Sequence, residues 1–337
     1  MSIKVAVLSP VAWRTPPKHY GPWEQVASNI CEGLVSRGMD VTLFATGDSL
    51  TSGKLQYTCE RGYEEDKETD AKVAECMHIS YLMEQAGSFQ IIHNHFDFLP
   101  LTYTRLIDTP VVTTIHGFSS QKIIPVYRRY NDINYYVSIS NSDRSPLLNY
   151  TATVYNGLNP SDFTFREKQG DYLLFFGRIH HDKGTREAIE IAKKAGMKLI
   201  ISGIVQDEAY FNSQVKPFID DEQIVFMGSA GPEKRDSLLG GAYALLHPVN
   251  FEEPFGLSVA ESMLCGTPVI AFNRGSMPEL VKHNETGFLV SDIEEAVEAL
   301  NNVRFIKRGC CREWAMANFS VERMVDDYIN VYKKVLT

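Results

Sequence analysis

Two glutamates and two basic residues, on separate loops, are the side chains here best suited to chemistry. Glu253 and Glu261 lie in Asn250-Phe251-Glu252-Glu253-Pro254-Phe255-Gly256-Leu257-Ser258-Val259-Ala260-Glu261. Leu257, Ala260, Glu261 and Leu264 fall at helical spacing, which predicts a helix opened by Gly256, with Glu253 just ahead of it. A helix start presents unbonded N–H groups and partial positive charge, so a polar, anionic ligand fits there, between the two carboxylates. Isolated glutamates are mostly solvated, so the pair gains meaning only from other loops. The strongest of these is Phe176-Gly177-Arg178-Ile179-His180-His181-Asp182-Lys183-Gly184, which carries two cations between glycines. An Arg forks onto two oxygens and a Lys acts as a point charge, a combination suited to a diphosphate. The Walker pattern is absent, and His180 and His181 read as surface residues.

Further loops surround these. Cys265-Gly266-Thr267-Pro268 turns tightly into an apolar run, and Asn273-Arg274-Gly275-Ser276 leads into another helix start. In the first half, residues 9–24 form a long loop ending at Gly21, with Trp13, His19, Tyr20 and Trp23 as aromatic surface. It lacks G-x-G-x-x-G, so the dinucleotide fingerprint is missing. His116 stands in Thr114-Ile115-His116-Gly117-Phe118, where a lone His is more often a hydrogen-bonder than a catalyst. His93-Asn94-His95 has metal-like spacing but no third ligand nearby in sequence.

Positioning such loops requires a parallel sheet. Short apolar runs at 3–8, 41–45, 90–93, 111–115, 135–139 and 153–155 alternate with helical patterns starting near Gly21 and covering 69–85. A second series, 172–176, 199–202, 224–227, 242–247, 269–272 and 288–290, alternates with helices at 184–195, 208–218, 232–239, 256–265 and 277–281. Repeated β-α-β predicts two Rossmann-like, doubly wound α/β domains, joined through the turn-rich residues 156–166, with a helical tail over 292–337. Ligands of such sheets bind beyond the carboxyl ends of the strands, which points to a cleft between the domains.

Composition limits the alternatives. The chain has 337 residues, 44% of them apolar, and a net charge of −9. That supports two full cores and argues against a general nucleic-acid partner. Cys31, Cys59, Cys76, Cys265, Cys310 and Cys311 form no C-x-x-C pair and read as free thiols of a reducing cytoplasm. No run is long enough to span a bilayer, and the first apolar run is too short for a signal segment.

Taken together, these residues resemble the retaining, nucleotide-sugar-dependent glycosyltransferases of the GT-B fold, family 4. Glu253-Pro254-Phe255-Gly256-Leu257 with Glu261 looks like that family's E-x₇-E signature. The stretch 265–271, the Gly177-Arg178 and Lys183-Gly184 pairs, Asn156-Gly157-Leu158-Asn159 and the stretch 285–290 also fit. Ile115-His116-Gly117 and the first loop match more weakly. The family's two adjacent glycines are replaced by Gly21-Pro22, which removes one N–H donor.

The resemblance implies an acceptor-binding domain over 1–158, completed by a helix at about 318–337 crossing back to it. It implies a nucleotide-sugar domain over 159–317, the two facing a central cleft and closing about 156–160. Glu261 would bind ribose hydroxyls and Glu253 the donor sugar. The backbone N–H groups of Phe255, Gly256 and Leu257 would hold the sugar and a phosphate, helped by Gly21. Arg178 and Lys183 would neutralise the diphosphate, and His116 would face the sugar's 6-hydroxyl. Arg178, Lys183, Glu253 and His116 are thus the expected catalytic group. Trp13, His19, Tyr20, Phe118, Tyr127 and Arg128 are the expected acceptor contacts. The implied reaction is hexosyl transfer to a hydroxyl of a small molecule, glycan or lipid, with UDP-glucose as favoured donor and GDP-mannose next. It needs no metal or other cofactor and proceeds by front-side attack. A GT-B nucleotide-sugar epimerase and a sugar-nucleotide-binding protein without transfer activity are the alternatives. Location is expected to be cytoplasmic, with contact at a membrane surface and oligomeric state left open.

Overall fold

A computed structural model describes residues 3–18, 21–118 and 120–337. The chain divides into two compact units, one formed by the residues up to Gly157 together with Val321–Thr337, the other by Leu158–Ser320.

In the first unit, β1 (Lys4–Leu8), β2 (Asp40–Phe44), β3 (Lys54–Gln56), β4 (Ile91–Asn94), β5 (Val111–Ile115), β6 (Asn134–Ser138) and β7 (Tyr150–Thr153) form one parallel sheet in the order β3-β2-β1-β4-β5-β6-β7. Side chains alternate across a strand. Val5 and Val7 of β1 therefore pack with α1 (Pro22–Ser36) and the C-terminal helix, while Ala6 and Leu8 pack with α2 (Ala71–Met83). This two-sided burial explains why β1 is apolar throughout. Asp70 caps α2 by accepting from the Val73 N–H. The short helix α3 (Ile124–Arg129) follows β5.

The second unit contains β8 (Tyr172–Phe176), α4 (Thr185–Ala195), β9 (Lys198–Ser202), α5 (Glu208–Tyr210), β10 (Ile224–Phe226), α6 (Pro232–Gly241), β11 (Ala244–His247), α7 (Leu257–Leu264), β12 (Val269–Phe272), α8 (Met277–Leu280), β13 (Gly287–Val290), α9 (Ile293–Leu300) and α10 (Arg308–Phe319). Its six strands are parallel in the order β10-β9-β8-β11-β12-β13. The last helix, α11 (Val321–Val335), belongs to the first unit. Met324, Val325, Tyr328, Val331 and Tyr332 bury one of its faces beside Val26, Ile30 and Leu34 of α1. Gly33 permits that approach, since a Cβ there would run into the Val325 side chain.

Three local expectations differ from the structure. The edge strand β3 has only three residues, two of them long and polar, so no apolar run announces it. The last strand of the first sheet lies at Tyr150–Thr153 rather than 153–155, and its pairing shifts register between Tyr136 and Val137. Residues 208–218 are not one helix. After α5 the chain widens its turn over Phe211–Val215 and tightens over Lys216–Phe218, where Pro217 has no N–H to continue an α-helix.

Candidate functional site

Lys183 and Glu253 meet at the point where the second sheet reverses its winding. β8 and β11 are neighbours whose connections leave in opposite directions, so the loops after them open at one edge. Three loops are stitched together there. Asn250 N–H donates to Asp182 O (2.6 Å), Ser276 N–H to Glu253 O (2.9 Å) and Ser276 Oγ to Phe255 O (2.6 Å). Two glycines are obligatory. Gly184 has φ +75°, and a Cβ on it would strike the Pro248 carbonyl. Gly275 has φ +55° and lies against the backbone of Glu252 and Glu253.

Within this frame Lys183 Nζ makes a close ion pair with Glu253 Oε2, and both side chains are largely buried. The Lys183 ammonium also sits 4.7 Å from the centroid of the Phe251 ring. Burial alone would raise the Glu253 pKa. Attraction to His247 and to the Lys183 charge outweighs it and holds the carboxyl at about 2, so Glu253 is ionised at neutral pH. His247 Nε2 lies 3.6 Å from Glu253 Oε2, beyond hydrogen-bond length, and that nitrogen has no hydrogen-bond partner.

Gly256, with φ +90°, opens α7 with no side-chain cap on the helix N-terminus. Glu261, one turn inside, is buried and accepts from Arg235 Nη1 at 3.1 Å. Burial raises its pKa and the Arg235 charge partly offsets this. Arg178 shares the loop with Lys183 but donates to the Gln206 side chain. His180, His181 and Asp182 are the trio, among the described residues, whose ligand atoms lie close enough for a metal, all within 4.8 Å. Those atoms already pair with one another, His180 Nδ1 to Asp182 Oδ2 at 3.3 Å and His181 Nε2 to Asp182 Oδ1 at 2.9 Å.

In the first unit, His116 also stands just beyond a strand end. It stacks on Trp23 of α1, with ring centroids 5.4 Å apart and planes at 19°. Its Nε2 is 2.9 Å from His95 Nδ1, so one of the two nitrogens carries the shared proton. Burial drives His116 down to about 3, and His93 likewise, so both rings are neutral. His93 is fixed in turn by Thr114 Oγ1 (2.8 Å) and by Tyr332 OH of α11 (2.7 Å). Gly21 caps α1 with φ +152°. Glu24, in the first turn, is buried, which raises its carboxyl to about 7 against hydrogen bonds from its own N–H and that of Trp13.

Residues 161–304 match the family model described as glycosyl transferases group 1. This segment is a glycosyl transferases group 1 domain. It contains every site residue of the second unit. A Klebsiella pneumoniae protein described as an uncharacterized 41.2 kDa protein in the cps region is 31% identical over half of this chain and 47% of its own length. An uncharacterized glycosyltransferase of Methanocaldococcus jannaschii is 23% identical over 96% of this chain and 97% of its own. Among solved structures, Anabaena HepE in complex with UDP and glucose superposes with a TM-score of 0.73 at 17% identity, over 98% of this chain and 100% of that one. Two parallel-sheet α/β domains of seven and six strands match the GT-B fold. The chain carries a group 1 glycosyltransferase domain within a GT-B fold.

The glycosyl transferases group 1 domain brings Lys183, Glu253, Phe255, Gly256 and Leu257 to one sheet edge, with Glu261 one helical turn behind. In the first unit, Trp13 and Phe118 are half-buried and Arg128 is exposed. His19 and Tyr20 lie outside the described residues. Tyr127, expected to face an acceptor, is instead fully buried. The α3 turn points it inward, where its hydroxyl donates to Asp97, its carbonyl accepts from Tyr136 OH and its ring meets Phe118 edge-on.

Four residues of these surroundings went unread in the sequence. Arg235 lies on α6 and His247 ends β11, at positions an ordinary helix or strand could fill with a polar residue. Asp97, with φ +87°, is a half-buried carboxyl raised to about 6, chiefly by its partial burial. Its place two residues after His95 was a usable signal, as was the position of Glu24 in the first turn of α1.

Proposed function

We propose that this glycosyltransferase moves a hexosyl group from a nucleotide-diphosphate sugar to an acceptor hydroxyl with retention at the anomeric carbon, as in family 4. The observation that carries the reading is the Lys183–Glu253 pair at the switch point of the second sheet, beside the α7 N-terminus. A cation and a helix start together favour a leaving diphosphate. Arg178, on the same loop, is a second cation for it, which supports transfer without a metal. An ionised Glu253 accepts hydrogen bonds and has no proton to give, so it suits sugar hydroxyls better than general-acid work. Glu261, one turn further on, suits ribose hydroxyls.

In this reading the acceptor oxygen bonds to the anomeric carbon on the face from which the diphosphate departs. The glycosidic C–O bond to phosphate breaks, and a phosphate oxygen takes the acceptor proton. UDP-glucose is the favoured donor, with GDP-mannose next. His116, neutral and held by His95, would meet the donor's 6-hydroxyl end. Trp13, Phe118 and Arg128 would meet the acceptor.

A melting-temperature screen against UDP- and GDP-sugars tests the donor, because a ligand bound only by the folded state stabilises it. Arg178→Ala and Lys183→Ala should each cut turnover more than about tenfold. Near-normal turnover in both variants would refute the assignment.

A further inference from the structure

Three groupings of titratable side chains stand out: the His180–His181–Asp182 turn, the histidine network under His116, and the buried side of Glu253. The first is partly exposed and already paired within itself, and nothing there points to a ligand. In the second, His95 Nε2 is the buried ring nitrogen that lacks a hydrogen-bond partner. The third has an unexplained polar atom aimed at the site.

Lys183 has two demands on one charge. In the structure its ammonium pairs with Glu253, yet the function proposed above needs it at the diphosphate. A buried carboxylate that loses its cation is costly unless another group replaces the partner. Something must hold Glu253 ionised and oriented when Lys183 turns away. His247 is 5% exposed and sits at the end of β11, directly beneath the Glu253-Pro254-Phe255-Gly256 turn. Its Nε2 is 3.6 Å from Glu253 Oε2 and lacks any hydrogen-bond partner, although buried ring nitrogens are ordinarily paired. A shift of well under 1 Å brings it to hydrogen-bond length. Gly256 keeps the space open, since a Cβ there would press on Met277 and approach His247 Nε2.

We propose that His247 is a positioning residue for Glu253: it donates from Nε2 to the carboxylate when Lys183 moves to the diphosphate. Glu253 thereby stays ionised and aimed at the donor sugar through the reaction. This inference rests on the sugar-nucleotide reading of Lys183 and Glu253.

The test compares His247→Leu, His247→Asn and His247→Gln, using UDP-glucose and GDP-mannose as probes and UDP and GDP alone as sugar-free controls. Turnover is read as release of nucleoside diphosphate. A Gln amide nitrogen reaches the place of Nε2, whereas an Asn amide falls short of it. The expected result is a loss of about tenfold in kcat for Leu and Asn, with Gln within about twofold of the native chain. Binding of UDP or GDP alone, read by melting temperature, should be unchanged in all three. If the Leu variant does not fold, Asn against Gln decides: equal turnover overturns the proposal. If Lys183→Ala turns over normally, the sugar-nucleotide reading falls and this inference with it. If Lys183→Ala is inactive while Leu, Asn and Gln all match the native chain, only the role of His247 is refuted.

Discussion

Removing the Lys183 ammonium should destabilise the protein, and removing its partner as well should restore much of the loss. Both side chains of the Lys183–Glu253 pair are largely buried, at 15% and 10% exposure. Lys183→Ala leaves Glu253 a buried carboxylate without its ammonium partner, with His247 Nε2 3.6 Å away. Breaking a buried pair from one side costs about 3–5 kcal/mol. At about 2–4 °C per kcal/mol for a domain of this size, the melting temperature should fall on the order of 10 °C at pH 7. The pH dependence follows from Glu253. In the native chain its pKa is held at about 2, below the ordinary 4.5, so its stabilising contribution is present above pH 4.5 and is lost as pH falls toward 2. In Lys183→Ala one of the charges that lowers it is gone, so the folded-state pKa rises from about 2. A higher folded-state pKa favours the folded state at low pH, so the deficit should narrow as pH falls from about 7 toward about 3. The double variant Lys183→Ala with Glu253→Gln carries no buried charge. It should recover most of the lost stability while remaining inactive. Differential scanning calorimetry of the native chain and these variants across that range is the assay. A pH-independent deficit, or a double variant no more stable than Lys183→Ala, would refute the reasoning.

The buried Arg308 should be as important to folding as any apolar core residue. Its guanidinium donates to Arg166 O (2.6 Å), Ala242 O (3.0 Å), Gly240 O (2.8 Å) and Thr267 Oγ1 (2.5 Å). Arg308→Met would orphan several acceptors at about 1–3 kcal/mol each, and urea denaturation should show a loss above about 3 kcal/mol. His78, fully buried with Nε2 on Ser9 O at 2.9 Å, is lowered to about 4 by burial. Its neutral form costs nothing above pH 6.5, and the native state loses up to about 3 kcal/mol as pH falls from 6.5 to 4. His78→Gln should flatten that acid slope, and an unchanged slope would count against it. Gly184→Ala should abolish turnover and lower the melting temperature, because its φ is +75° and a Cβ meets the Pro248 carbonyl, whereas Gly177→Ala, with open space around it, should leave the melting temperature unchanged.

Much of this fold was readable because strands buried on both faces are apolar throughout. Val5 and Val7 feed one core and Ala6 and Leu8 the other, so β1 reads as a continuous run. The same logic fails at edges. β3 is held by pairing with β2 rather than by burial, so Lys54-Leu55-Gln56 carries no pattern. Residues 208–218 have helical composition, and only the consequences of Pro217 in three dimensions break them up. Tyr127 shows the limit for side chains. An aromatic beside two arginines suggests a surface, yet α3 turns Tyr127 inward while Arg128 and Arg129 stay exposed.

The site divides along the same line. Glycines and charges on loops announce themselves, because a loop cation or a left-handed glycine has few structural uses. Lys183, Glu253, Gly184 and Gly256 were legible for that reason. Groups that enter from regular elements were not. Arg235 rides on α6 and His247 ends β11, each at a position an ordinary helix or strand could fill with a polar residue. Only the geometry reveals that Arg235 reaches Glu261 and that His247 points an unpaired nitrogen at Glu253. The loop residues supply the charges that would meet a ligand. The element-borne residues decide whether those charges stay ionised and correctly aimed once a ligand competes for them. Lys183 and Glu253 neutralise each other as they stand, so any ligand that draws Lys183 away must leave Glu253 a second partner. A site of this kind therefore depends on its hidden base as much as on its visible rim.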